Sequence, residues 1–366
     1  MRQPAHGGNL AWAAELAGCP PSAILDFSAS ISPLGPPNSV ISAIESQLDN
    51  LQHYPDPDYR ELRLALSHFH QLPQEWILPG NGSAELLTLA GRELAQLAAT
   101  ALITPAFGDY YRALAAYNAK VLSFPLISPE PRVPNPNLTS MLRTAFSGLM
   151  TECGLLLNNP HNPTGMLFSR EAILPCLKDF ALVVVDEAFM DFLHPDQEQS
   201  LIHVVQQYPN LVILRSLTKF YSLPGLRLGY AIAHPDRLRL WQSWRDPWPV
   251  NTLAAAAAVA ALLDNKFQLL TWTWLPAARN QLFQGLASLP GLQPLHSAAN
   301  FLLVESQQSV LQLQQKLLQH HQILIRDCLS FAELGDRYFR VAVRTSSDNQ
   351  RLLAAIAKSE GEGKRK

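Results

Sequence analysis

Short apolar runs without polar alternation recur through the middle of the chain at 101–103, 121–124, 155–157, 182–185 and 212–214. Such runs suit strands covered on both faces, and the amphipathic stretches between them suit helices. The alternation predicts a mostly parallel sheet covered by helices. A helical pattern over 86–97 follows Gly80-Asn81-Gly82-Ser83-Ala84-Glu85. After about Thr271 the pattern changes to strands at 301–304, 323–325 and 339–343, with a glutamine-rich helix at 310–320. This reads as a smaller α+β domain, 271–357, joined by an N-terminal segment, 1–51. A large domain, 52–270, holds the parallel sheet, and the charged, glycine-containing tail 358–366 is expected to be disordered. The alanine-rich run 252–263 is too short for a comfortable membrane span and predicts a packed helix.

Composition adds little beyond a class. With 366 residues, 48% hydrophobic and 16% charged, the chain can bury a large core and is long enough for two domains. A net charge of −2 gives no electrostatic reason to expect nucleic acid. Cys19, Cys153, Cys176 and Cys328 lack metal-type spacing, so no metal site is expected. The chain starts without a basic and apolar signal region, and a reducing cytoplasm is the expected compartment.

The chemistry concentrates after the apolar runs. Lys219, in Arg215-Ser216-Leu217-Thr218-Lys219-Phe220, lies eight residues before Arg227. An amine at a buried strand end can shed its proton and attack an aldehyde, while hydroxyls and a guanidinium nearby hold a phosphate. Those properties point to pyridoxal phosphate. The bland alternative is a lysine on a solvated loop. Asp186 closes the run Ala181-Leu182-Val183-Val184-Val185. A buried carboxylate needs a partner, either a protonated pyridine nitrogen or the N-terminus of a following helix. Asn162, in Asn158-Asn159-Pro160-His161-Asn162-Pro163-Thr164-Gly165, sits in a turn beside the same strand ends. Gly80 and Gly82, before the helix, leave backbone N–H groups free for a phosphate.

Taken jointly, these segments and Pro224-Gly225-Leu226-Arg227-Leu228-Gly229-Tyr230 resemble the fold type I pyridoxal phosphate enzymes, in the branch that contains the histidinol-phosphate aminotransferases. The ends of the chain narrow the resemblance. His6-Gly7-Gly8-Asn9, the stretch 25–35, His53-Tyr54-Pro55-Asp56-Pro57, Trp248-Pro249-Val250-Asn251 and Tyr338-Phe339-Arg340-Val341-Ala342-Val343-Arg344 look like the threonine-phosphate decarboxylases of cobalamin biosynthesis. The similarity runs from His6 to about Ala357.

The resemblance implies an aspartate aminotransferase-like α/β fold with pyridoxal 5'-phosphate bound through a Schiff base to Lys219. It implies Asp186 on the pyridinium nitrogen, Asn162 on the ring hydroxyl oxygen, and Phe107 against the ring face, although Phe107 also reads as ordinary core. Gly82, Ser83, Ser216, Thr218 and Arg227 fall to the cofactor phosphate. Tyr54 is expected to reach the phosphate of a partner subunit, which makes the protein a homodimer with shared sites; packing against Pro55 is its other reading. Arg326, Arg340 and Arg344, with His6, are the candidate substrate contacts, and threonine phosphate carries the two anionic groups that arginines bind. On a regular strand Arg340 and Arg344 share a face.

Two departures from the family pattern bear on the reaction. Ser30 and Ser32 replace asparagines and shorten the reach of that loop. Phe189 stands where many aminotransferases carry a tyrosine, which slightly disfavours transamination. The implied reaction is decarboxylation of L-threonine O-3-phosphate to (R)-1-amino-2-propanol O-2-phosphate, and the alternative is histidinol-phosphate or a related aminotransferase. A regulator that merely senses the cofactor needs an appended DNA-binding domain, for which the stretch before Asp26 is too short.

Overall fold

The computed structural model describes residues 6–126, 142 and 150–361. Its strands, in chain order, are β1 (Leu25–Asp26), β2 (Ile77–Asn81), β3 (Ala99–Thr104), β4 (Val121–Pro125), β5 (Cys153–Asn158), β6 (Leu182–Asp186), β7 (Leu211–Ser216), β8 (Leu228–Ala233), β9 (Leu292–Pro294), β10 (Phe301–Ser306), β11 (Ile323–Leu324), β12 (Arg326–Asp327) and β13 (Tyr338–Ala342). A seven-stranded sheet runs β2-β8-β7-β6-β5-β3-β4. β7, β6, β5, β3 and β4 are mutually parallel, and β8 is antiparallel to both its neighbours. Every residue of β3, β5, β6 and β7 is buried, as their unbroken apolar runs predict.

The apolar pattern did not announce β2 and β8. They carry Pro79, Gly80 and Gly229, and the two glycines are register partners. Their lack of side chains has a use. A Cβ on Gly229 would stand 2.5 Å from the Ser83 nitrogen and 2.7 Å from the Arg215 oxygen, and one on Gly80 would stand 2.7 Å from Leu86 Cγ. The helix Gly82–Leu94 therefore presses its first turn directly onto the sheet.

A smaller antiparallel sheet, β12-β13-β10-β9, follows. The strand expected at 323–325 is broken: β11 pairs with β1, and after Ile325 the chain moves to β12, which pairs with β13. The N-terminal segment is divided as well. The helix Leu10–Ala17 and β1 join the small part, with Ala13, Ala14 and Ile24 packed on Leu318 and Leu324. The helix Asn38–Ser46 instead packs on Thr252–Leu263, and Ser39 Oγ donates to Asp264 at 2.6 Å. Thr252–Leu263 is the packed helix expected, burying Ala254, Ala257, Ala258 and Ala261. The boundary drawn at 270 falls inside one helix, Asn265–Ala287, which crosses between the two parts with Pro276 within it. The final helix, Ser346–Gly361, takes in Lys358, so the tail read as disordered begins as helix; 362–366 lie outside the described residues. One apolar cluster runs from Phe27 through Val183 and Ile213 to Phe301 and Val341, so both parts share a core. Among the described residues no single helix is long and apolar enough to cross a membrane.

Gly229→Ala is expected to destabilise the protein by about 1–3 kcal/mol, because the added methyl meets backbone rather than yielding side chains. Gly225→Ala, where nothing lies within 4 Å of the new methyl, is the control. Thermal unfolding checks both, and a Gly229→Ala midpoint equal to the control contradicts the close approach.

Candidate active site

Parallel register sets β5, β6 and β7 side by side, with Asn158 opposite Asp186 and Asp186 opposite Leu214. The segments that follow these strand ends meet at one cleft of about 260 Å³. Asn162, Asp186, Thr218 and Lys219 line it from the strand ends, and Ser83, Phe107 and Arg227 line it from the flanking helices and loops. Arg340 reaches it from the small sheet, and His6 from the N-terminal arm.

Asp186 lies at the floor and is buried. Burial pushes its carboxyl up from the usual range, opposed by the Lys219 charge, the Tyr110 hydroxyl and the Ala188 N–H. Tyr110 donates to Oδ2 at 2.8 Å and Ala188 N–H to Oδ1 at 3.0 Å. The helix-cap reading of Asp186 fails, since the next helix, Met190–Phe192, is preceded by Phe189 and the Ala188 bond closes only a local turn; its place in the cleft leaves the ligand reading. Lys219 stands on the short turn Leu217–Phe220 directly after β7. Its Nζ donates to Ser216 Oγ at 3.0 Å and lies 5.7 Å from the Phe189 ring. Burial pushes the amine's pKa down; Asp186 opposes this, while Arg227 and Arg340 reinforce it. The amine is half-buried with a depressed pKa, as a nucleophilic lysine requires and a solvated loop lysine does not.

Beside it lies a cradle for an anion. Gly82, at φ +76°, begins the helix Gly82–Leu94, and a Cβ there would stand 2.7 Å from Arg227 Nη2. Ser216 Oγ and Thr218 Oγ1 are 2.8 Å apart at the same edge. Arg227 donates to the Pro224 carbonyl at 3.3 Å and has no carboxylate partner among the described residues. Free helix N–H groups, hydroxyls and an unpaired guanidinium make a receptor for a phosphate dianion.

The Asn-Pro turn is held by the strand it follows. Asn158 Nδ2 donates to the Asp186 carbonyl at 2.7 Å, and its Oδ1 accepts from Asn162 N at 2.6 Å. Asn162 Oδ1 accepts from Arg340 Nη1, which leaves the Asn162 Nδ2 donor for a ligand. His161 is buried against Thr164 Oγ1 at 2.8 Å, and burial pushes its pKa down to about 3.

The arginines separate into three environments. Arg340 is buried, donates from Nη2 to the Ser28 carbonyl at 3.2 Å, and stands 5.0 Å from the Phe301 ring. Burial pushes its pKa down to about 10, so it remains a cation at neutral pH. Its Nε and the Ser30 hydroxyl are buried without partners. Arg326, the register partner of Arg340, contacts Asp327 at 3.4 Å and Ser330 Oγ at 2.6 Å and lines a small adjoining recess with His6 and Ser28. Arg344 does not line the cleft with Arg340. β13 ends at Ala342, and beyond it Arg344 turns to Asp348 at 3.1 Å and the Asp26 carbonyl at 3.2 Å, outside the cleft. Tyr54 also lies outside this cleft: it is 78% exposed and stacks on Trp248 at 4.4 Å.

Tyr110 went unremarked in the sequence. It follows Phe107 by three positions, a spacing that places both on one side of the helix start, and the two rings meet edge to face at 5.9 Å.

The family model for aminotransferase class I and II matches residues 22–356. The chain belongs to the class I and II aminotransferase family. Among relatives in that family, it is 40% identical over 360 residues to the threonine-phosphate decarboxylase of Salmonella typhimurium, covering 96% of this chain and 95% of that protein. The L-threonine-O-3-phosphate decarboxylase structure from Porphyromonas gingivalis superposes with a TM-score of 0.79 at 25% identity, covering 92% of this chain and 99% of that one. The histidinol-phosphate aminotransferase structure from Clostridium acetobutylicum gives 0.84 at 26% identity, over 93% and 100%. The aminotransferase-family fold expected from the sequence is the fold found.

His161 makes the apoprotein acid-sensitive. Between pH 6.5, its ordinary value, and about 3, the unfolded chain binds a proton that the buried ring does not, so stability falls as pH drops through that window. His161→Gln is expected to show a shallower fall of the unfolding midpoint there, and parallel slopes contradict this assignment.

Proposed function

We propose that the chain is a pyridoxal 5'-phosphate enzyme that decarboxylates L-threonine O-3-phosphate to (R)-1-amino-2-propanol O-2-phosphate, within cobalamin biosynthesis. The observation that carries this reading is the 40% identity to a threonine-phosphate decarboxylase over nearly the full length of both chains. The residues present fit the cofactor. The Gly82–Leu94 helix start, Ser83, Ser216, Thr218 and Arg227 suit its phosphate, buried Asp186 its ring nitrogen, Asn162 its ring oxygen, Phe107 its ring face and Lys219 its aldehyde.

When bound, pyridoxal 5'-phosphate supplies an electron sink for the pair released at the substrate Cα. The chain decides which Cα bond is released by how it holds the anionic ends of the substrate. Arg340, cationic and without a carboxylate contact among the described residues, is the firmest anchor; Arg326 and His6 border the adjoining recess and take the second anion. Lys219, with its depressed pKa, is placed to move a proton at Cα after carbon dioxide leaves. Phe189 offers no hydroxyl where a transaminating relative carries tyrosine. We divide the chain into a large cofactor-holding part and a small substrate-holding part, linked by the helix Asn265–Ala287. We place Tyr54, exposed on Trp248, at the cofactor phosphate of a second subunit in a homodimer, and the protein in the cytoplasm, where its four free cysteines stay reduced.

Holoprotein given L-threonine O-3-phosphate and no 2-oxo acid is expected to release carbon dioxide over many turnovers. Silence there, with glutamate formed from histidinol phosphate and 2-oxoglutarate, makes it an aminotransferase instead. Lys219→Ala is expected to lose the visible absorption of the holoprotein and its activity together. Arg340→Gln should lower kcat/KM by about ten-fold or more while keeping the visible absorption, since a hydrogen-bonded charge on the substrate is lost; unchanged kinetics remove Arg340 from the substrate.

A further inference from the structure

We infer that Tyr110 is a positioning residue for the cofactor: its hydroxyl orients the Asp186 carboxylate, and its ring backs Phe107. The two groups assigned to the nitrogen and the face of the cofactor ring therefore hang on one side chain. The inference rests on the cofactor reading above and adds to it a residue that acts through Asp186 and Phe107.

Tyr110 lines the cleft at its Asp186 end. It is fully enclosed on the helix Gly108–Ala115, at 2% exposure, and its hydroxyl lies 2.8 Å from Asp186 Oδ2. Burial, with Asp186 second, pushes the phenol far above its ordinary value, so the proton stays on Tyr110 and the hydroxyl donates. Asp186 is faced by Tyr110 and Asp109 from that helix, by Lys219 from the turn after β7, and by the Ala188 N–H. Of these, Asp109 favours the neutral carboxyl, as does burial; Lys219, Tyr110 and Ala188 favour the carboxylate. Lys219 is the group that the cofactor aldehyde engages, so its ammonium charge is not permanently available. The hydroxyl and one backbone N–H then remain to hold the charge. Each serves one carboxylate oxygen, and a carboxylate has further lone pairs for a ring N–H. Without the hydroxyl, Oδ2 is a buried acceptor with no partner, and the carboxyl is better served by a proton than by a charge. A protonated carboxyl cannot stabilise a protonated pyridine.

Tyr110→Phe keeps the ring against Phe107 and removes only the hydroxyl. Titrating apoprotein with pyridoxal 5'-phosphate is expected to show about a ten-fold rise in dissociation constant, the size of a lost hydrogen bond to a charged group. The loss should vanish with the 1-deaza analogue, whose ring has no nitrogen to pair with Asp186. Asp186→Asn supplies a second route, because Tyr110→Phe should add no further loss in that background. Equal affinity of wild type and Tyr110→Phe for pyridoxal 5'-phosphate overturns the inference and leaves the cofactor reading intact. The same loss with both cofactors, or additive losses with Asp186→Asn, overturns it too, since Tyr110 then acts by packing alone. Wild-type protein that takes up no pyridoxal 5'-phosphate overturns the cofactor reading and the inference together.

Discussion

A carboxylate buried at the end of a central strand sets the terms for everything around it. β6 contributes five buried residues, and the last, Asp186, sits where burial leaves its charge little solvent screening. An unpaired charge in that position costs several kcal/mol, so the fold supplies a hydroxyl, a backbone N–H and a nearby lysine. The next residue, Glu187, is not among those that line the cleft. It is fully buried and paired with Arg215 at 3.1 Å, Ser200 Oγ at 2.6 Å and Leu201 N–H at 2.9 Å. Arg215 also binds Asp191. One strand end thus presents two acids, one satisfied by the protein and one kept with spare lone pairs for a ligand.

The cradle beside this carboxylate depends on missing atoms. Gly80 and Gly229 let the helix start lie on the sheet, and Gly82 leaves room for Arg227. The small part then closes the site from the other side. Arg340 bridges the parts, since Nη1 donates to Asn162 of the large part and Nη2 to the Ser28 carbonyl. Ser28 in turn accepts from Gly8 N–H at 2.7 Å and donates to Asp26 at 2.6 Å, which ties the arm carrying His6 to the same arginine. Ser32 N–H donates to the Lys219 carbonyl at 3.0 Å, so the segment with serines in place of asparagines also braces the lysine turn. Arg340, the arm carrying His6 and the Lys219 turn are thus mechanically linked through this segment.

The parts of this arrangement that were legible in sequence share a physical reason. Strands buried on both faces leave unbroken apolar runs, and Asn162, Asp186 and Lys219 each follow one within about a turn. β2 and β8 were opaque because they trade side chains for close approach. The break after Ile325 was opaque because a change of pairing partner leaves no mark in hydropathy. Arg344 stays out of the cleft because Asp348 and the Asp26 carbonyl engage its guanidinium, contacts that strand periodicity does not reveal. Tyr110 was passed over because a tyrosine in an amphipathic helix looks like core until its hydroxyl is seen to meet a buried acid. Tyr54 and Arg326 lie off the main cleft, and no spacing along the chain could have said so.

The central claim is that this site releases the Cα–carboxylate bond and spares the Cα–H bond. Turnover of L-threonine O-3-phosphate in deuterium oxide, followed by proton NMR, reads this directly. The account predicts that unreacted substrate keeps its α-hydrogen while the aminopropanol phosphate product carries one deuterium at the former Cα. Deuterium appearing at Cα of recovered substrate without the decarboxylated product shows that Cα–H is the bond this site breaks, and contradicts it.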